Sequence, residues 1–231
     1  ARERARKLTE NEKESREKVL VPFHPHVLLD MDQKQSFQIG YLFLQQIYYE
    51  LKLPLICNAI AKRHAFQYDM NEILSRLVYG RILFPSSKLS TYKQSSSLFE
   101  KSSFSYHDIP RALSVIAEEY DFIQERLYKY SSEVLPRKTS VLYYDCTNFY
   151  FEIEEESGLR RYGKSKENRP NPIVQMGLFM DYSGLPLAMT ITNGNENEQK
   201  TLLPLEKKIL SDFELSNFVV CTDAGLSSES N

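Results

Sequence analysis

Residues 140–152 read SVLYYDCTNFYFE, a run of strand-forming residues with one carboxylate, Asp145, in its middle. Alternation puts Val141, Tyr143, Asp145, Thr147 and Phe149 on one face, and Leu142, Tyr144, Cys146 and Asn148 on the other. Both sets are largely apolar, which predicts a central strand covered on both sides rather than an edge. A carboxylate in that setting is costly unless hydrogen bonds, a proton or a cation offset its desolvation. The flanking sequence is therefore read for a partner to Asp145.

Downstream, Ile173–Met180 and Leu185–Asn193 flank Asp181-Tyr-Ser-Gly184, a strong hairpin signal. A helix is expected from about Thr201 to Ser211, with Leu202, Leu205, Ile209 and Leu210 inward. Asn217–Asp223 (NFVVCTD) is then a short apolar strand ending in a second carboxylate. A helical crossover into this last strand predicts that it runs parallel to a neighbour.

Upstream, residues 33–136 change to a helical period. Phe37–Leu51 carries the stripe Ile39, Leu42, Phe43, Gln46, Ile47 and Glu50, and Leu53-Pro54-Leu55 opens a second helix. Asp69-Met-Asn-Glu72 has capping-box form ahead of Ile73, Leu74, Leu77, Val78 and Leu83. Ser86 or Ser87 is placed to cap a helix toward Phe99, and Asp108-Ile-Pro110 opens one long segment to Leu135. Four or five packed helices are expected. Arg76, Arg81, Lys88 and Lys93 make the block a candidate DNA-contacting surface, without a turn sharp enough to read as helix-turn-helix. Residues 1–32 read as a charged arm and connector; His24 and His26 lack a nearby carboxylate or thiol cluster to make a metal site. The fold class is α+β: an all-α N-terminal domain over 33–136, then a mixed β-sheet domain over 138–231.

The chain has 231 residues, 42% hydrophobic and 26% charged, as in ordinary globular proteins. A net charge of −2 excludes a global basic field, so any nucleic-acid surface is local. Cys57, Cys146 and Cys221 are odd in number and far apart, which excludes a disulfide scaffold or zinc ribbon and favours a reducing compartment. No apolar run reaches the roughly 18 residues of a membrane span. The sequence starts at Ala1 and stops at Ser-Glu-Ser-Asn231, which reads as a piece of a longer protein.

Asp145 and Asp223 are the candidate catalytic pair. Each sits in an apolar strand, and they meet only if the two strands are neighbours. Apposed carboxylates repel and call for a shared proton or a cation, and all-oxygen coordination suits Mg²⁺ or Mn²⁺. The alternative is that each aspartate ends its strand by bonding to nearby backbone amides. Gly158–Pro172 (GLRRYGKSKENRPNP) is the best local basic patch: Arg160, Arg161, Lys164, Lys166 and Arg169 stand against Glu167 alone, with Tyr162 able to stack on a base.

From Tyr143 to Ser228 several motifs occur in order: Tyr143-Tyr-Asp145 with Thr147, Gly184-Leu-Pro186, Gly194-Asn195 with Glu198, and Asp223-Ala-Gly225. This series resembles the catalytic domain of bacterial insertion-sequence transposases of the DDE type, the family-four branch with a ribonuclease-H-like fold and a late insertion domain. The resemblance implies metal-dependent cleavage and strand transfer of double-stranded DNA at transposon ends, by a homodimer in the bacterial cytoplasm at the nucleoid. It implies that Asp145 and Asp223 hold two Mg²⁺ or Mn²⁺ ions and that the basic loop contacts DNA. Thr147 and Asn148 are candidates to orient the first carboxylate, with plain strand packing as the alternative. The family's third acid is a Glu on a later helix. Glu229 is too close to Asp223 to be it, and Glu152 and Glu154–Glu156 lie on the wrong element. The expectation is therefore an incomplete ribonuclease-H-like domain. A nuclease of the same fold without strand transfer, or a truncated copy that binds DNA without catalysis, are the alternative readings.

Overall fold

The structure is a computed structural model describing residues 36–197, 199–213, 215 and 217–222. These hold seven helices and four strands. The helices are α1 (Tyr41–Glu50), α2 (Leu53–Ala61), α3 (Met70–Leu83), α4 (Lys88–Ser95), α5 (Asp108–Glu118), α6 (Tyr120–Val134) and α7 (Gln199–Asp212). The strands are β1 (Val141–Tyr150), β2 (Ile173–Asp181), β3 (Pro186–Asn193) and β4 (Val219–Thr222), with α7 between β3 and β4. Residues 1–32, Glu198, Asp223 and Glu229 lie outside the described residues. No helix among those described is long and apolar enough to cross a membrane.

The sheet order is β3-β2-β1-β4. β1 pairs antiparallel with β2, from Leu142↔Asp181 to Tyr150↔Ile173, and parallel with β4, from Val141↔Val219 to Tyr144↔Thr222. The parallel pairing follows from the α7 crossover, as the order of elements predicts. The β2–β3 turn closes through Gly184 N–H to Asp181 O at 2.9 Å, with Gly184 at φ 78°. That left-handed conformation is one glycine adopts without steric cost.

One face of the sheet carries the core. Leu142, Tyr144, Cys146, Phe179, Leu187 and Ala188 pack under Leu202, Leu205 and Ile209 of α7 and Phe213 just beyond it, with Tyr128 of α6 alongside. Leu210, expected inward, is exposed. The expectation that β1 is covered on both faces is corrected: Tyr143, Asp145, Phe149, Ile191 and Val219 are exposed. β1 is interior by pairing, yet α6 and α7 cover only the Leu142–Cys146 side. Asp145 therefore carries little desolvation cost.

The helical part holds six helices rather than four or five. Asp69 caps α3 by accepting from Glu72 N–H at 3.0 Å, and Ser87 caps α4 by accepting from Ser90 N–H at 3.2 Å. Glu72 does not complete a capping box; its carboxylate takes Ser103 N–H and Oγ–H at 2.8 and 2.6 Å. The long segment expected after Asp108 is two helices that part at Glu119, and α4 ends at Ser95, short of Phe99. Gln124 of α6 accepts from Met189 N–H, tying the helices to the outer strand of the sheet.

Candidate functional site

Asp145 sits midway along β1 on the open face, its side chain 67% exposed. Its Oδ1 accepts the N–H of the next residue, Cys146, at 2.8 Å, and lies 3.9 Å from the Lys166 ammonium. Lys166 also donates to the Cys146 carbonyl. The second predicted acid, Asp223, lies outside the described residues; β4, which ends at Thr222, is the parallel neighbour of β1, and Tyr144↔Thr222 is the last described pair.

Thr147 shares the face of Asp145, whereas Asn148 lies on the other. The Asn148 side chain serves the basic loop, accepting Lys166 N–H at 3.3 Å and donating to Lys164 O at 3.5 Å.

That loop is a folded strap rather than a solvated connection. Ser157 pairs with Arg160, and Arg161 with Ile173, its N–H donating to Ile173 O at 3.0 Å. Gly163 lies so close to the Gly194 carbonyl that any Cβ would collide with backbone, and Gly194 is wedged likewise against Ile173 O and Arg161 O. Most of its cations already have partners. Arg160 lies over Phe151 and bonds Ser157; Arg161 faces Glu156 at 3.4 Å; Arg169 lies over Tyr150 and faces Glu167 at 3.6 Å. Tyr162 is 47% exposed and donates its hydroxyl to Glu154 O. The Lys164 side chain is exposed, and its carbonyl is the acceptor used by Asn148. The strap, held by its own backbone, sets Lys166 beside Asp145 and lays Arg160 and Arg169 over Phe151 and Tyr150 at the end of β1.

Sequence reasoning missed two of the residues that build this corner, Gln175 and Gly163. Gln175, buried in β2, donates to Gly194 O at 3.2 Å and Glu196 O at 2.7 Å, fastening the segment after β3. A polar amide inside the apolar run IVQMGLFM is the signal that points to it. Gly163 acts through an absent side chain, which a glycine in a polar loop does not announce; Gly194 stands in the Gly194-Asn195 motif, where its close packing is not legible either.

The Asp145 carboxylate is a hard oxygen donor open to solvent, which in kind suits Mg²⁺ or Mn²⁺. Among the described residues no three His, Cys, Asp or Glu side chains converge. Compared with protein-family models, with curated proteins and with solved structures, the chain matches none of them.

Proposed function

We propose that this chain carries the first part of a ribonuclease-H-like catalytic domain of a DDE transposase, acting on double-stranded DNA at insertion-sequence ends. The observation that carries the reading is the β1–β4 pairing. Tyr144 stands opposite Thr222, and the two candidate acids, 78 positions apart in sequence, are each the next residue after that pair. The ordered motifs between them and the basic strap beside Asp145 add support.

In this reading Asp145 and Asp223 hold two Mg²⁺ or Mn²⁺ ions, whose chemistry is activation of a water or 3′-hydroxyl and stabilisation of the leaving oxygen. The Cys146 N–H orients the Asp145 carboxylate. Arg160, Arg161, Lys164, Lys166 and Arg169 offer salt-dependent contacts to the phosphate backbone, and Tyr162 offers a ring to an unpaired base. The working protein is a homodimer in the bacterial cytoplasm, at the nucleoid.

The test is cleavage and joining of a terminal-repeat duplex by the full-length protein with Mg²⁺. Asp145→Asn should abolish cutting while leaving the melting temperature unchanged and the protein still able to bind DNA. Normal cutting by that variant would overturn the assignment. Cleavage by the wild type with no joined product would make the protein a nuclease, and DNA binding with no cleavage would leave it a binding protein.

A further inference from the structure

Lys166 is the strap cation that reaches Asp145, and the backbone rather than the ion pair puts it there. Residues Ser165 to Asn168 form a tight turn: Asn168 N–H donates to Ser165 O at 3.1 Å, with Asn168 at φ 54°. The buried Ser165 hydroxyl accepts Glu167 N–H at 3.3 Å, and Asn148 takes the Lys166 N–H. The backbone of Lys166 is thereby fastened to β1. Its ammonium, at the end of a flexible stem and 48% exposed, spans the Cys146 carbonyl and the Asp145 carboxylate. An ion pair this exposed is weak and readily exchanged.

We propose that Lys166 is a positioning cation that exchanges with divalent metal: it balances the Asp145 carboxylate until a divalent ion takes that oxygen, and then turns its ammonium to a DNA phosphate. This rests on the reading of Asp145 as a metal ligand. The chemistry follows from the groups on the page. An ammonium satisfies a carboxylate by charge and hydrogen bonds, whereas a divalent ion ligates the oxygen directly and repels the ammonium. Once displaced, Lys166 has N–H donors to offer, and a phosphate oxygen is the acceptor that arrives with DNA.

The exchange predicts changes of opposite sign in two binding measurements. With Mn²⁺ alone, titrated by calorimetry, Lys166→Gln should bind about two- to five-fold tighter than wild type, the size expected for losing one exposed competing charge. With a short mixed-sequence duplex and Ca²⁺, the same variant should bind DNA more weakly, and its log–log salt slope should fall by about 0.9. In EDTA the slope should be unchanged, because Lys166 is then engaged by Asp145. Lys166→Arg should restore the Ca²⁺ slope. Weaker Mn²⁺ binding by Lys166→Gln, or equal loss of DNA affinity with and without metal, would overturn the exchange and leave a purely structural lysine. Asp145→Asn separates the two ideas: if it binds Mn²⁺ as wild type does, the reading of the metal site fails before the lysine is in question.

Discussion

Asp181 ends β2 with its carboxylate wholly buried, and Arg137 answers it from the segment after α6. Arg137 Nε donates to Oδ2 at 2.6 Å, while Oδ1 accepts Ser183 and Leu185 N–H at 2.9 and 3.0 Å. The other guanidinium nitrogens donate to Ser131 Oγ, Leu185 O and Pro186 O, so one arginine joins helix, turn and strand. Burial pushes the Asp181 carboxyl up, but the Arg137 bond, the two backbone amides and the cation's charge outweigh it and hold it below its ordinary 3.8. A carboxyl depressed by folding contributes stability above its unfolded pKa and loses it as pH falls through the folded value. Thermal melts from about pH 5 down to pH 2 should therefore show wild type losing stability and Asp181→Asn, less stable at neutral pH, changing less. Arg137→Met should cost about 3–5 kcal/mol in urea unfolding, because it strands a buried charge. A cost under about 1 kcal/mol would mean that water reaches Asp181. At Gly194, alanine should cost about 1–3 kcal/mol by forcing backbone apart, and should speed tryptic cutting after Arg160 and Lys164 as the strap lifts.

At the scale of elements, α1 faces the opposite way from its apolar stripe. Ile39, just before the helix, and Phe43 and Ile47 within it are exposed, and Tyr41, Gln45 and Tyr48 are buried. The tyrosine rings lie 5.5 and 5.8 Å from Tyr79, and Tyr48 donates to Asn71 Oδ1 at 2.9 Å. Tyr41 accepts Glu100 N–H at 3.3 Å, and Gln45 donates to both Glu100 oxygens. Large rings with satisfied hydroxyls make this face the better one to bury. Phe43→Lys should thus change urea stability by less than about 0.5 kcal/mol, whereas Tyr48→Ala should cost about 3–5 kcal/mol. The reverse ranking would show that the helix packs by its aliphatic stripe. The α5–α6 break is likewise set from a distance. Glu119 takes the Arg63 guanidinium and the His64 ring, which arrive from the end of α2 and hold its carboxyl below the usual range.

Across the whole molecule, the sheet is packed on one side and open on the other, and the three thiols report that asymmetry. Cys146 lies in the sheet core and Cys57 in the helical core, where burial pushes its thiol up to about 11, while Cys221 is exposed. A maleimide titration of native protein near neutral pH should therefore label one thiol, Cys221, with the others reacting only on unfolding. Labelling of Cys146 in the native state would show that α7 does not hold the sheet closed. Much of this architecture was legible in residues alone. Strand alternation, the Asp181–Gly184 turn, the Asp69 and Ser87 caps and the crossover into β4 all rest on neighbours within a few positions, or on chain order. That β1 is the strand β4 pairs with was not legible: chain order predicts a parallel neighbour without naming it, and the tertiary structure supplies the pairing. Only the tertiary structure decided which face of α1 and of β1 is buried, where the long helix breaks, and that the basic loop folds onto β1 with Lys166 against Asp145. Periodicity defines two faces but does not say which one meets a partner, because that partner comes from far along the chain.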